Sequence, residues 1–338
     1  MPLFRFSKPF SEQREKIKSK KRELSQINKE LSATNDQATL ISYRKRKKGV
    51  QQDIFKLERE LRAAKLRADE PEIGALPDFV VIGGKKCGTT FLYYLLSQHP
   101  LVEPAADKEV HYFNRFFDEG TEWYRRCFPA PRLKNGRRTL TGEGTPEYLS
   151  HPLAPKRAAD VIPQARLIAL LRNPVDRTYS DYQMMVRKGR ETCSFEEIIR
   201  AKKQRRPNKG DETSERGDGL NLQAARRKYV SKSIYVDLLL RWSEFFPKEQ
   251  MLVLKSEDFF ENPVESLKPV LDFLGLPDWE PEISEFRDEG GKDKFERNKR
   301  NKGTYEEGMD PATRERFEEY FEPHNRRLYD YLGRDFGW

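Results

Sequence analysis

Four short apolar runs punctuate the chain: Phe79–Gly83, Thr139–Glu143, Leu167–Leu171 and Met251–Lys255. Each is too short for a helix and reads as a buried strand. Between and beyond them, apolar residues recur at helical spacing over Thr90–Gln98, Pro152–Val161, Pro174–Arg187 and Ser231–Phe246. Strands alternating with helices predict an α/β fold, a P-loop-like, doubly wound parallel sheet flanked by helices. A last helix is expected over Asp310–Leu332, with Phe317, Tyr320, Phe321, Leu328 and Tyr331 supplying an apolar face that is broken near Pro323.

The first 70 residues follow a different pattern. Val50, Ile54, Leu57, Leu61, Ala64 and Ala68 alternate spacings of four and three, a heptad seam, and Ile17, Leu24, Ile27 and Leu31 form a similar stripe. Between the two lies Ser32-Ala33-Thr34-Asn35-Asp36, rich in N-cap formers. Two arrangements fit: a helical hairpin turning near residue 35, or one helix of about 85 Å at about 1.5 Å per residue. The hairpin is favoured, because Thr-Asn-Asp is a poor helix interior. The expected domains are residues 1–70, a basic coiled coil or hairpin, and residues 77–338, the α/β domain. Lys202–Asp218, nearly free of apolar residues, reads as a mobile surface loop.

Charge sharpens this division. The net charge is +9, from 64 basic and 55 acidic residues; residues 1–70 hold 19 basic and 10 acidic, leaving 45 of each in the remainder. The basic excess belongs to the N-terminal segment, so the main domain is not read as a nucleic-acid binder. The run Arg44-Lys45-Arg46-Lys47-Lys48 is either a solvated coiled-coil face or a contact for an acidic polymer or membrane surface. The heptads suggest self-association, which an intramolecular hairpin would pre-empt. Three scattered cysteines and four histidines suggest neither a disulfide framework nor a metal site. No apolar run is long enough to span a bilayer, and MPLFRFSKPF lacks the apolar core of a signal peptide, so a cytoplasmic location is expected.

Candidate chemistry begins at the end of the first strand. Gly83–Thr90 reads GGKKCGTT. A strand that meets a Gly-rich turn and opens a helix is an anion site, because backbone N–H groups converge there and the helix terminus adds positive potential. The sequence departs from G-x-x-x-x-G-K-[ST]: Thr89 stands where the lysine belongs, and Lys86 lies three residues earlier. The pairing of lysine and metal-binding hydroxyl that serves a β/γ-phosphate is therefore lost. A nucleotide whose reactive group sits on the 5′-phosphate suits the loop better. Further on, Arg172-Asn173-Pro174 follows a strand, where ligands of open α/β sheets bind, and Ser180 lies about two turns into the next helix. A guanidinium and a hydroxyl so placed could share one phosphate.

These residues resemble sulfotransferases that use 3′-phosphoadenosine 5′-phosphosulfate (PAPS), over roughly residues 77–335. Lys85-Lys86-Cys87-Gly88-Thr89-Thr90 is similar to their 5′-phosphosulfate loop, Arg172 with Ser180 to their 3′-phosphate motif, and Lys302-Gly303 to their C-terminal loop over the nucleotide. The resemblance is closest to Golgi-type heparan and related carbohydrate sulfotransferases and their bacterial relatives. It implies PAPS as co-substrate, adenosine 3′,5′-bisphosphate as product, no metal, and a hydroxyl or amine acceptor, expected to be carbohydrate. It also implies Lys86 as the cation at the leaving group, Glu109 of Lys108-Glu109-Val110-His111-Tyr112-Phe113 as the base, and His111 beside it. If residues 109–111 are extended, Glu109 and His111 face one side. One departure stands out: related oligosaccharide O-sulfating enzymes have a lysine where this chain has Gly144, and Lys108, Lys85 or His111 is left to supply that charge. Glu143, at a strand end, is a candidate to orient substrate. Two other functions compete: a Mg-ATP-dependent P-loop kinase of small molecules, and a non-catalytic coiled-coil scaffold with a degenerate nucleotide domain.

Overall fold

The computed structural model describes residues 11–34, parts of 36–57, 74–200 except 192, 227, 229–281, 283 and 308–338. The chain divides into two units, one of residues 71–181 and 229–338, the other of residues 1–70 and 182–228.

In the first unit five parallel strands form a sheet: β1 (Phe79–Gly83), β2 (Val102–Pro104), β5 (Leu140–Glu143), β6 (Arg166–Leu171) and β7 (Met251–Lys255), in the order β2-β5-β1-β6-β7. Two further strands, β3 (Leu133–Lys134) and β4 (Arg137–Arg138), pair as a small hairpin. Phe79 of the central β1 pairs with Gly142 on one side and Arg166 on the other. Alternate residues reach opposite faces of a strand. Phe79, Val81, Ile168, Leu170 and Leu254 enter one core with α2 (Thr89–Gln98) and α9 (Pro263–Leu274). Val80, Ile82, Leu167 and Leu171, alternating with them, are also buried. Both faces are therefore covered, which explains why β1 and β6 read as continuous apolar runs rather than as alternating ones.

Other helices of the described chain are α1 (Ser11–Ala33), α3 (Gly120–Arg125), α4 (Ala154–Val161), α5 (Pro174–Arg187), α6 (Phe195–Arg200), α7 (Tyr235–Ser243), α8 (Ser256–Glu261) and α10 (Pro311–Leu332). α10 fills the expected stretch and runs unbroken through Pro323. Proline removes one helical hydrogen bond, but Phe317 and Phe321 before it and Asn325 and Leu328 after it are buried. Anchors on both sides hold the axis. Asp310 caps the helix, its Oδ2 accepting from the Thr313 N–H at 2.9 Å.

In the second unit, Leu24 and Ile27 of α1 meet Val50 and Ile54, with Leu31 and Tyr43 beside them. Lys20 pairs with Asp53 at 3.0 Å and Arg46 with Glu23 at 3.3 Å. The two stripes face each other, so the chain reverses between them and is not a single rod. Asp36 receives the Thr39 N–H at 2.8 Å at this reversal. The seam residues Leu61, Ala64 and Ala68, the cluster members Arg44 and Lys48, and Lys202–Asp218 lie outside the described residues. Among the described residues no helix is long and apolar enough to cross a membrane.

Candidate active site

Residues 84–90 leave β1 and turn into α2. Two of them lie in the left-handed region, Lys86 at φ 71° and Gly88 at φ 93°. Gly88 has a steric reason to lack a side chain, since a Cβ there would lie 2.7 Å from the Phe260 ring. The loop is tied down by its backbone. Gly84 N–H donates to Leu170 O at 2.6 Å, Cys87 N–H to Gly84 O at 3.2 Å, and the Ser256 hydroxyl to Cys87 O at 2.8 Å. Cys87 is wholly buried, and burial pushes its thiol up to about 11. It can therefore meet a ligand through its main chain alone. Thr89 is buried at the first turn of α2, and Thr90 is exposed.

The neighbouring strand supplies the second anion candidate. Arg172 directly follows β6, and its carbonyl accepts from the Tyr235 hydroxyl at 2.8 Å. Asn173 caps α5, its Oδ1 accepting from Val175 N–H at 2.9 Å and Asp176 N–H at 3.2 Å. Ser180 is a buried residue of that helix, about 9 Å along the axis from its start at about 1.5 Å per residue. Arg177, between them, is a core residue. Its Nε donates to Ser233 Oγ at 2.6 Å and Nη2 to Tyr229 O at 2.5 Å. Lys302 and Gly303 lie outside the described residues.

Residues 108–116 face a different set of partners. The extended geometry expected for 109–111 does not hold, because His111 sits at φ 59° and starts a wide helical turn, Tyr112–Phe116. Glu109 and His111 meet all the same, through that turn rather than through strand alternation: His111 Nε2 lies 3.4 Å from Glu109 Oε2. Lys108 Nζ lies 3.2 Å from the other oxygen, Oε1. Burial on its own would raise the Glu109 carboxyl, but the His111 hydrogen bond and the Lys108 charge outweigh it, lowering it to about 2. Tyr112 stacks on Tyr124 at 4.2 Å, and Phe113 packs edge-on to Tyr148, fixing the turn in an aromatic cluster.

Glu143 does not line a cleft. It is fully buried and accepts from the Tyr124 hydroxyl at 2.8 Å, the Tyr148 hydroxyl at 2.9 Å, the Thr145 hydroxyl at 2.5 Å and Val110 N–H at 3.0 Å. Burial raises its pKa against those donors. Thr145 Oγ1 in turn receives the His111 N–H at 3.1 Å. The acid is a post that holds the 110–111 backbone in place, not a group that reaches substrate.

Glu147 was not anticipated. Its Oε2 accepts from Arg115 Nη2 at 2.8 Å and Asn114 Nδ2 at 3.2 Å, and its Oε1 lies 3.8 Å from Lys85 Nζ. Burial would raise this carboxyl too, but Arg115, Lys85 and His111 hold it low. Asn114 Oδ1 lies 3.3 Å from His111 Nδ1. A continuous chain of polar contacts therefore runs from Lys85 in the loop through Glu147, Asn114 and His111 to Glu109 and Lys108. Lys85 also lies 3.6 Å from Asp181 Oδ1 on α5.

The structure thus brings Lys85, Glu109 and His111 into one network and places Lys86 next to Lys85 in the loop. It sets Arg172 at the same end of the parallel sheet as that loop, since β1 and β6 run side by side.

Residues 76–331 match the family described as the sulfotransferase domain. The chain is similar to the membrane-associated sulfotransferase kil1 of Dictyostelium discoideum, 28% identical over 337 residues, covering 80% of this chain and 68% of that protein. It is 30% identical over 282 residues to human heparan sulfate glucosamine 3-O-sulfotransferase 6, covering 80% and 76%. Against the human bifunctional heparan sulfate N-deacetylase/N-sulfotransferase 2 it is 28% identical over 279 residues and spans 30% of that protein's length. The crystal structure of a sulfotransferase from Alicyclobacillus acidocaldarius superposes with a TM-score of 0.56 at 27% identity, covering 78% of this chain and 98% of that one. The chain belongs to the sulfotransferase family.

Proposed function

We propose that the chain transfers a sulfuryl group from PAPS to a hydroxyl or amine of a carbohydrate. The polar chain from Lys85 to Glu109 carries this reading, because it joins an anion loop to a carboxylate that could take the acceptor's proton. The kinship with heparan-modifying relatives supports carbohydrate as the acceptor class.

In this reading residues 84–90 hold the 5′-phosphosulfate, and Arg172 and Ser180 hold the 3′-phosphate. The acceptor oxygen or nitrogen attacks sulfur, the bond from sulfur to the 5′-phosphate oxygen breaks, and the acceptor proton passes to Glu109. Lys86 meets the charge gathering on the departing phosphate, where a fixed cation is most effective. Glu109 is a weak base at rest. It suffices because the acceptor becomes acidic as its bond to sulfur forms.

The test is transfer of radiolabelled sulfate from PAPS to chemically desulfated heparan oligosaccharides, with thermal protection by adenosine 3′,5′-bisphosphate measured in parallel. Turnover should persist in EDTA. Absence of both transfer and protection refutes the reading, and Mg-dependent ATP consumption would favour a kinase.

A further inference from the structure

Lys108 stands beside the proposed base, and its side chain is only 18% exposed. Its backbone is fixed, with Gly144 N–H donating to Lys108 O at 2.8 Å. Its stem lies over a place that a side chain would otherwise fill. A Cβ built on Gly144 would fall 3.6 Å from Lys108 Cε, and 3.5 Å from both Tyr93 Cδ2 and Val81 Cβ. These are ordinary contacts, so Gly144 is not forced by a clash. It leaves room, and the lysine stem borders that room while its ammonium reaches Glu109 Oε1.

We propose that Lys108 is a positioning residue for the transfer reaction: its ammonium orients the Glu109 carboxylate toward the acceptor, and the bare Gly144 gives it the space to do so. This rests on the reading of Glu109 as the base. Among the described residues, the charged groups that act on Lys108 include Glu109 and Glu143, and those that act on Glu109 include Lys108 and His111. Burial lowers the Lys108 pKa while both carboxylates oppose that shift. A lysine withdrawn from water next to a candidate base is a recurrent mark of an active site. With one oxygen of Glu109 held by Lys108 and the other by His111, the carboxylate has little freedom to rotate.

The sign of the consequence follows. Lys108 is one of the groups that lower Glu109, so removing its charge raises the carboxyl pKa. A residue that merely filled space would leave that titration unchanged.

The experiment compares wild type, Lys108→Met and Lys108→Arg. Glu109 is followed by ¹³C NMR of labelled glutamate carboxyls, assigned with Glu109→Gln, which needs no acceptor. Sulfate transfer from PAPS to desulfated heparan oligosaccharides gives kcat and its pH profile, and thermal protection by adenosine 3′,5′-bisphosphate reports folding and donor binding. Lys108→Met should move the Glu109 titration to higher pH and lower kcat by roughly ten- to a hundredfold, less than loss of the base itself. Product protection should be unchanged, and Lys108→Arg should restore most of the rate. An unmoved Glu109 titration in folded Lys108→Met overturns the proposal, as does a wild-type kcat. If wild type itself neither transfers sulfate nor is protected by the product, the functional reading fails, while the titration still decides whether Lys108 governs Glu109.

Discussion

The loop of residues 84–90, proposed to hold the donor, and the turn at residues 108–116 each hold one non-glycine residue in the left-handed region, Lys86 and His111. They are held there by different means. The loop is fastened by main-chain atoms: Gly84 to Leu170, Cys87 to Gly84, and the Ser256 hydroxyl to a carbonyl. The turn is fastened by side chains from several segments, with Thr145 on the His111 N–H, Glu143 on the Val110 N–H, and Tyr124 and Tyr148 packed behind. A backbone cradle suits a ligand part that never changes, such as a phosphate. A side-chain network suits the part that differs between acceptors, because it can be rebuilt one residue at a time.

The comparison can be broken most sharply at Lys86. Lys86→Ala should lower kcat by about 10²–10³ or more while the protein stays folded, since it removes the cation proposed to meet the leaving group. Single-turnover transfer from PAPS measures this. On the other side, Glu109→Gln should lower kcat by about 10²–10⁴ with little change in product affinity. Equal losses in rate and affinity would make Glu109 structural.

Stability separates the two regions next. Glu143→Gln places amide hydrogens against groups that now donate to a buried carboxylate, and should cost about 1–3 kcal/mol in urea unfolding. Gly88→Ala meets Phe260 at 2.7 Å in a left-handed conformation and should cost about 1–3 kcal/mol, with donor affinity lost alongside. If Glu143→Gln were as stable as wild type, the turn would not depend on that buried post. The smallest effect concerns pH. Glu109 is lowered from an ordinary 4.5 to about 2, so the stability it lends is present above 4.5 and fades as pH falls toward 2. Its acid limb in kcat/KM should accordingly lie below pH 4.5, and a limb near neutrality that vanishes in Glu109→Gln would contradict this.

How much could be read in advance follows from the same contrast. β1 and β6 are legible because strands buried on both faces leave aliphatic runs, β7 because it keeps such a run while only partly covered, and the 84–90 loop because its turn demands glycines. The short edge strand β2 carries too few residues for a pattern. The β3–β4 hairpin does carry a local signal: Asn135-Gly136, both at positive φ, is a standard two-residue turn. Glu109 and His111 were visible as a motif, whereas Glu147 was not, since its partners Lys85, Asn114 and Arg115 lie about 30 to 60 residues away. The burial of Glu143 is not legible in its own segment: Thr145 and Tyr148 lie close by in sequence, but Tyr124, 19 residues away, helps to seal the carboxyl from the cleft.

Cys87 leads to a consequence of another kind. Its sulfur lies in the middle of the 84–90 loop, yet it is sealed beneath the backbone with its thiol pushed up to about 11. Thiolates, not thiols, react with alkylating agents and peroxides. A sulfotransferase thus carries reduced sulfur of its own in the loop proposed to bind the donor, in an inert form. Iodoacetamide at pH 8 should leave donor binding intact, and the loop should be indifferent to redox conditions that would disable an exposed cysteine in the same place.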